Sequence, residues 1–350
     1  MAGYKNYHFS PLTIYGLPTS GKGVLAALLD GSKSTDCTLP MIFHDSLSAM
    51  LPLYKRYIED KSTQVAYAVG DDKRSYFLRK LLLTYSNYYI SLESALNKHQ
   101  LNFNFSSSKF IKVNLKCNKD FFELDKKIIL DALLANTKEP EILFLVIASN
   151  ILEALEIQNI SSIRYCASVS NNELNNYDSI LDSYKEGKII FVDRPIIDAV
   201  GSSFLRESAT TAQSFQDVLK RMKSNDTRMW IQKISLSQNY ISELSKIFPD
   251  RVCIINFEEL ILNTKNTMKR ISDFLDIEFS EIFTKPTFMG SEIAGKEFFT
   301  IQDNLNEQIS QREINLLKIF INDSMSTTGL NNITKKIIHK LKSLKCQTLP

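Results

Sequence analysis

The 350-residue chain has no long apolar run, no paired-cysteine pattern and no block of like charge, and each absence removes a class of protein. Its most apolar segment, ILFLVIASNIL from Ile142 to Leu152, is eleven residues long and contains Asn150. A bilayer needs about twenty, so this segment reads as a buried helix or strand and no transmembrane segment is expected. The opening residues, MAGYKNYHFSPLTIYG, lack the apolar centre of a signal peptide. The five cysteines (Cys37, Cys117, Cys166, Cys253 and Cys346) are scattered, with no CxxC and no metal-ligand spacing. Their odd number and apolar neighbours fit reduced thiols, and a cytoplasmic location is expected. A net charge of +3, with no long basic tract, argues against nucleic acid and against a membrane surface as partners.

What is present is an ordinary globular composition. Apolar residues make up 44% and charged residues 23%, enough for a substantial core without disulfides. The length allows one large α/β domain or two ordinary ones. Trp230, the single tryptophan, reads as core packing, and His8, His99 and His339 as surface or local packing.

Residues 12–15 (LTIY) read as a buried strand and the segment from Lys22 to Leu29 as a helix, with Gly31 in the position of its C-cap. Helical periodicity covers 73–97, 119–135 and 138–156. KIIFV (Lys188–Val192) and RVCIINF (Arg251–Phe257) are continuous runs of the kind buried in a parallel sheet. Helices are expected between them, over 213–247, and after them, over 264–275. Strands alternating with helices predict an α/β fold, a parallel sheet flanked by helices with a helical insertion at about 47–155. The main domain is expected to span 1–302, with the polar tail at 303–350 a helical extension.

Two stretches carry chemistry. GLPTSGKG (Gly16–Gly23) sits between the first strand and the first helix and has the G-x-x-x-x-G-K spacing of a nucleotide-binding P-loop. Such a turn aims backbone N–H groups at one spot, which the helix dipole also favours for an anion. Thr19 and Ser20 add hydroxyls and Lys22 a positive charge. Gly23 stands where a Ser or Thr would hold Mg²⁺ against a triphosphate. The second stretch, KIIFVDRPIIDAVGSSF, runs from a strand into Arg194, with Asp198 and Ser202 on one face of the helix that follows. Arg194 and Ser202 can converge on a phosphate, or Arg194 can form a plain salt bridge with Asp198.

GLPTSGKG resembles the 5′-phosphosulfate loop of the sulfotransferases that use 3′-phosphoadenylyl sulfate (PAPS), where P-x-S-G-x-x is typical. VDRPIIDAVGSSF resembles their 3′-phosphate motif, with Arg194 and Ser202 at the spacing of its two phosphate-binding residues. RVCIINFEELILNTKNTMKRISDFLDI looks like their strand-YEDL-helix-FLG segment, and FMGSEIAGKEFFT is similar to the loop that closes over the nucleotide. The four segments come in the family's order across residues 12–300. The resemblance implies a P-loop-like sulfotransferase fold and PAPS as sulfuryl donor, with no metal. It also implies a nucleotide site made of Thr19, Ser20, Gly21, Lys22, Gly23, Val24, Arg194, Ser202 and Lys296. The missing hydroxyl at Gly23 fits a donor that needs no bridging Mg²⁺. Departures from the pattern are Thr19 where animal cytosolic members carry lysine, FEE in place of YED, and Asp193 before the arginine.

Sulfuryl transfer is an in-line displacement, so the protein positions groups, stabilises charge and accepts the acceptor's proton. Lys22 is the candidate to stabilise the departing oxygen. His44 and Asp45, in MIFHDSLSAML, are the candidate bases, His through its near-neutral pKa and Asp through desolvation. Glu258 and Glu259 read as structural. The expected acceptor is a small molecule or carbohydrate, including a lipid-linked glycan, offering a hydroxyl or amine. Two other functions fit the same loop. One is a nucleoside-triphosphate-dependent small-molecule kinase that finds its Mg²⁺ ligand elsewhere, and the other a nucleotide-binding relative that lost catalysis.

Overall fold

The computed structural model describes residues 7–17, 19–37, 140–154, 160–170, 180–182, 184–222, 224–288, 291–292 and 309–326. His44, Asp45, Lys296, the helical patterns at 73–97 and 119–135, and most of the 47–155 insertion lie outside them.

The centre is a five-stranded sheet in the order β2-β3-β1-β4-β5, with every neighbouring pair parallel. β1 (Ser10–Gly16), β4 (Lys188–Asp193) and β5 (Val252–Asn256) are the three strands legible in the sequence. β3 (Tyr165–Val169) and the two-residue edge strand β2 (Thr35–Asp36) are additions to that expectation. β3 is YCASV, whose small residues interrupt the apolar signal, yet all five are buried. Cys37, Cys166 and Cys253 are free thiols, and burial pushes each one's pKa up.

The first helix, α1 (Lys22–Leu29), has the expected bounds. The C-cap differs from expectation. Asp30 closes α1 in right-handed conformation, and Gly31 is not among the residues with positive φ. A Cβ on Gly31 would stand 3.0 Å from Cγ1 of Ile282 and 3.1 Å from Cγ2 of Thr287, so close packing is what asks for glycine there. The helix α2 (Pro140–Ala154) carries most of the ILFLVIASNIL run, and Phe144 packs edge-on against Phe9 and Tyr184. Among the described residues no helix is long and apolar enough to cross a membrane.

Helices flank the sheet. Leu12 and Ile14 of β1 and Ile190 and Val192 of β4 form a core with Leu25 and Leu28 of α1. Two further helices complete it, α6 (Phe257–Leu262) through Leu260 and α7 (Thr264–Leu275) through Met268 and Ile271. A second core joins α3 (Ile196–Thr211), α4 (Phe215–Arg221) and α5 (Asn225–Ile247) to α8 (Gln311–Ser326). Ile314, Leu317, Phe320 and Ile321 of α8 pack there with Val200, Phe204 and Val218, and Trp230 lies partly buried against them. The segment expected as an appended extension at 303–350 thus supplies one helix to the packed body.

Leu317 is fully buried in this second core. Leu317→Ala is therefore expected to lower the unfolding free energy by about 2–5 kcal/mol, the cost of an aliphatic cavity. Urea denaturation measures it, and a loss below about 1 kcal/mol would mean that α8 is peripheral.

Candidate nucleotide-binding site

The sheet register places the site. Gly16 pairs with Val192, and Asp193 pairs with Asn256. The strands run parallel, so the loop leaving β1, the turn leaving β4 and the start of α6 emerge side by side at one edge. Ligands of open α/β sheets settle at this carboxyl edge, where the connections from neighbouring strands diverge. Three segments separated by scores of residues are thereby brought together: 19–22, 194–202 and 256–258.

The phosphate loop is held in an unusual backbone conformation. Gly21 has φ 84° and Thr19 has φ 59°. The second is a β-branched residue in the left-handed region, a conformation that costs about 1–3 kcal/mol and persists only when its surroundings fix it. Two hydrogen bonds do so. Thr19 Oγ1 donates to the carbonyl of Ala199 in α3 at 3.1 Å, and the Thr19 carbonyl accepts from Nη1 of Arg194 at 2.7 Å. The hydroxyl expected to face phosphate is therefore engaged with α3, and the loop's offer to a ligand comes from its backbone, Ser20 and Lys22.

Lys22 opens α1 but is buried rather than solvated. Its Nζ donates to the carbonyls of Gly16 and Leu17, both at 2.9 Å. Burial pushes its ammonium down to about 8. No side chain caps α1, whose first turn has no acidic residue, so its N-terminal dipole keeps its attraction for an anion. Gly23 is exposed, and a Cβ there would meet nothing within 4 Å. Packing would therefore accept the hydroxyl residue that the P-loop pattern expects. Val24 follows, partly buried against the first core.

Arg194 is 3% exposed. Besides its bond to Thr19, its guanidinium lies over the Phe257 ring, 4.7 Å from the centroid. Its backbone is fixed from α5, where Nε2 of Gln238 donates to Oδ1 of Asp193 at 2.7 Å and to the Arg194 carbonyl at 3.0 Å. On α3, burial lifts the Asp198 carboxyl above its usual range; Arg194 opposes this and Glu258 adds to it. Asn256 caps α6 by accepting from the backbone N–H groups of Glu258 and Glu259. Glu259 also pairs with Arg270 at 3.5 Å.

Two hydroxyls complete the site. Ser20 is 1% exposed and Ser202 5% exposed, and neither Oγ has a hydrogen-bond partner among the described residues. A buried, unbonded hydroxyl costs about 1–3 kcal/mol, and these two stand on the phosphate loop and on the helix that follows Arg194. They fit a ligand bearing acceptor oxygens at both places. The structure thus gathers Thr19, Ser20, Gly21, Lys22, Arg194 and Ser202 at one sheet edge. The sequence reading missed Gln238 and Phe257. Gln238, in mid-helix, has no motif around it; Phe257 ends a strand-like run, which was the available signal.

A profile of the sulfotransferase family matches residues 11–281. No curated protein matches significantly. Among solved structures, a sulfotransferase domain from the Synechococcus PCC 7002 olefin synthase is 16% identical at a TM-score of 0.41, covering 96% of this chain and 95% of that one. A sulfotransferase domain from the curacin biosynthetic pathway is 17% identical at a TM-score of 0.41, covering 90% and 98%. A sulfotransferase from Mycobacterium tuberculosis is 10% identical at 0.41, covering 92% and 78%.

The depressed Lys22 pKa has a measurable sign. The unfolded chain holds this proton up to about 10.5, the folded chain only to about 8. Between those values the unfolded state binds more protons, so the stability owed to Lys22 rises with pH. Urea midpoints from pH 7 to 10.5 should climb more steeply for the wild type than for Lys22→Met. Parallel curves would mean that the ammonium is not buried.

Proposed function

The chain belongs to the sulfotransferase family, and from that premise we propose that it moves a sulfuryl group from PAPS to a hydroxyl or amine of a small-molecule or carbohydrate acceptor. The observation that carries the reading is the pair of buried, unbonded hydroxyls, Ser20 and Ser202, flanking the buried Arg194. An arginine and a hydroxyl beyond β4 suit a 3′-phosphate, while the loop, the α1 N-terminus and Lys22 suit a 5′-phosphosulfate.

Bound PAPS supplies the sulfuryl group and an adenosine bisphosphate leaving group. The protein's own residues hold and polarise. Ser20 Oγ and the backbone of the 19–23 loop would bind the phosphosulfate end. Lys22 already gives two protons to loop carbonyls, and the third lacks a partner among the described residues. That proton would stabilise the oxygen on which negative charge builds. Ser202 and Arg194 would bind the 3′-phosphate. His44 or Asp45 would take the acceptor's proton, and Lys296 would reach the nucleotide from the closing loop; all three lie outside the described residues. Gly23 offers no side-chain ligand for Mg²⁺, which is in keeping with a donor that needs no bridging metal.

Calorimetry with adenosine 3′,5′-bisphosphate, adenosine 5′-phosphate and ATP–Mg²⁺ tests the reading. The bisphosphate should bind tightest without metal, and Arg194→Ala should weaken it by about 2–5 kcal/mol, the loss from removing one partner of a buried charge pair. Adenosine 5′-phosphate should lose far less. Tighter, Mg²⁺-dependent ATP binding would overturn the donor assignment.

The base is tested by kinetics. Asp45→Asn or His44→Ala should cut kcat by about 10²–10⁴-fold, the usual share of general base catalysis, while bisphosphate affinity holds. Near-full turnover in both variants would remove this segment from the mechanism.

A further inference from the structure

Phe257 touches both halves of the site, though neither half requires it for chemistry. It is the first residue of α6 and is buried. A Cβ on Gly21 would collide with Cδ2 and Cε2 of its ring, so the ring rests directly on the left-handed turn of the phosphate loop. The same ring carries the Arg194 guanidinium at 4.7 Å. One rigid side chain thus spans from the loop to the arginine beyond β4. Its own backbone is fixed by the pairing of Asn256 with Asp193 and by the Asn256 cap on α6.

We propose that Phe257 is a positioning residue that sets the spacing between the phosphate loop and Arg194, and thereby selects ligands with two separated phosphates over ligands with one. The proposal rests on the two-phosphate reading above and names what enforces it. An arginine side chain has many rotamers, and fixing one in advance removes an entropic cost from binding. The Thr19 carbonyl and the Phe257 face both hold this one. A competitor stands nearby: the Asp198 carboxylate feels the charge of Arg194 and lies on the adjoining helix. Without an aromatic face at 257, the guanidinium can settle against that carboxylate and lose its reach. A residue with no flat face would also release Gly21, so the loop and the arginine would no longer keep a fixed separation.

The test uses the full chain and two probes, adenosine 3′,5′-bisphosphate and adenosine 5′-phosphate, titrated by calorimetry into wild type, Phe257→Leu and Phe257→Tyr. Phe257→Leu should weaken the bisphosphate about tenfold, in the range of a desolvated cation–π contact. It should weaken the monophosphate by no more than about threefold, since that ligand does not use Arg194. Phe257→Tyr, which keeps the ring, should retain the wild-type ratio. If Phe257→Leu does not fold, as judged by circular dichroism, Phe257→Met takes its place under the same criteria. Equal losses for both probes would make Phe257 a packing residue only and overturn the inference. An unchanged bisphosphate affinity would do the same while leaving the two-phosphate reading intact. A wild type that does not prefer the bisphosphate would overturn that reading, and this inference with it.

Discussion

The site depends on a buried positive charge, the guanidinium of Arg194. A charge withdrawn from water costs several kcal/mol unless its surroundings replace the lost solvation, so its neighbours are constrained by it. Here the replacement includes the Thr19 carbonyl and the Phe257 ring, and each tie has a structural consequence. The bond to Thr19 helps hold a β-branched residue at φ 59°, giving the phosphate loop its shape. The contact with Phe257 draws α6 against that loop. Asp193, adjacent in sequence and opposite in charge, is kept occupied by the Gln238 amide, which also clamps the Arg194 carbonyl. The aspartate that looks like a departure from the family pattern is accommodated by a helix amide three elements further along.

None of these ties would form without the register of the sheet. β4 lies parallel between β1 and β5, and the three strands end within one residue of a common row. The two cores secure that row. The first packs α1, α6 and α7 on the sheet; the second joins α3, α4, α5 and α8. Gln238 acts from α5, which connects the clamp on Arg194 to the second core. The side chains of the site are buried, and the helices that carry them are held by the two cores.

The parts that were legible in the sequence are those with a local cause. KIIFV and RVCIINF declared themselves as buried parallel strands because every residue contributes to one apolar run. The turn after β1 declared itself because Gly21 must adopt φ 84°. β3 did not, because Tyr-Cys-Ala-Ser-Val mixes small and polar residues whose burial comes from neighbours on both sides. Gly31 was misread for the complementary reason. Its glycine answers to Ile282 and Thr287, residues far along the chain, and sequence position alone suggested a helix cap. Phe257 and Gln238 belong to this second class, since their roles arise only when three strand ends are set side by side. Arg194 and Ser202 stand at the spacing of the sulfotransferase motif; the burial and the unbonded hydroxyl that give that spacing physical meaning appear only in the folded chain.

The charge balance of the site bears on why Gly23 is tolerated. A Cβ at this position meets nothing within 4 Å, so a serine or threonine would fit, and sterics do not explain its absence. An electrostatic account follows from the proposed donor. A triphosphate gathers about four negative charges in one cluster, and P-loop enzymes meet that cluster with a divalent cation as well as a lysine. In the present site two cations come from different segments of the chain. Lys22 and the α1 N-terminus stand at the loop, and Arg194 stands beyond β4, past Thr19. Asp198 feels the charges of Arg194 and Glu258 on that side. Under the proposed donor, the anion's charges are divided between two ends of a nucleoside, each end met by one cation and one buried hydroxyl. A bridging metal would then have no cluster of oxygens to bridge, and a hydroxyl at position 23 would have nothing to hold.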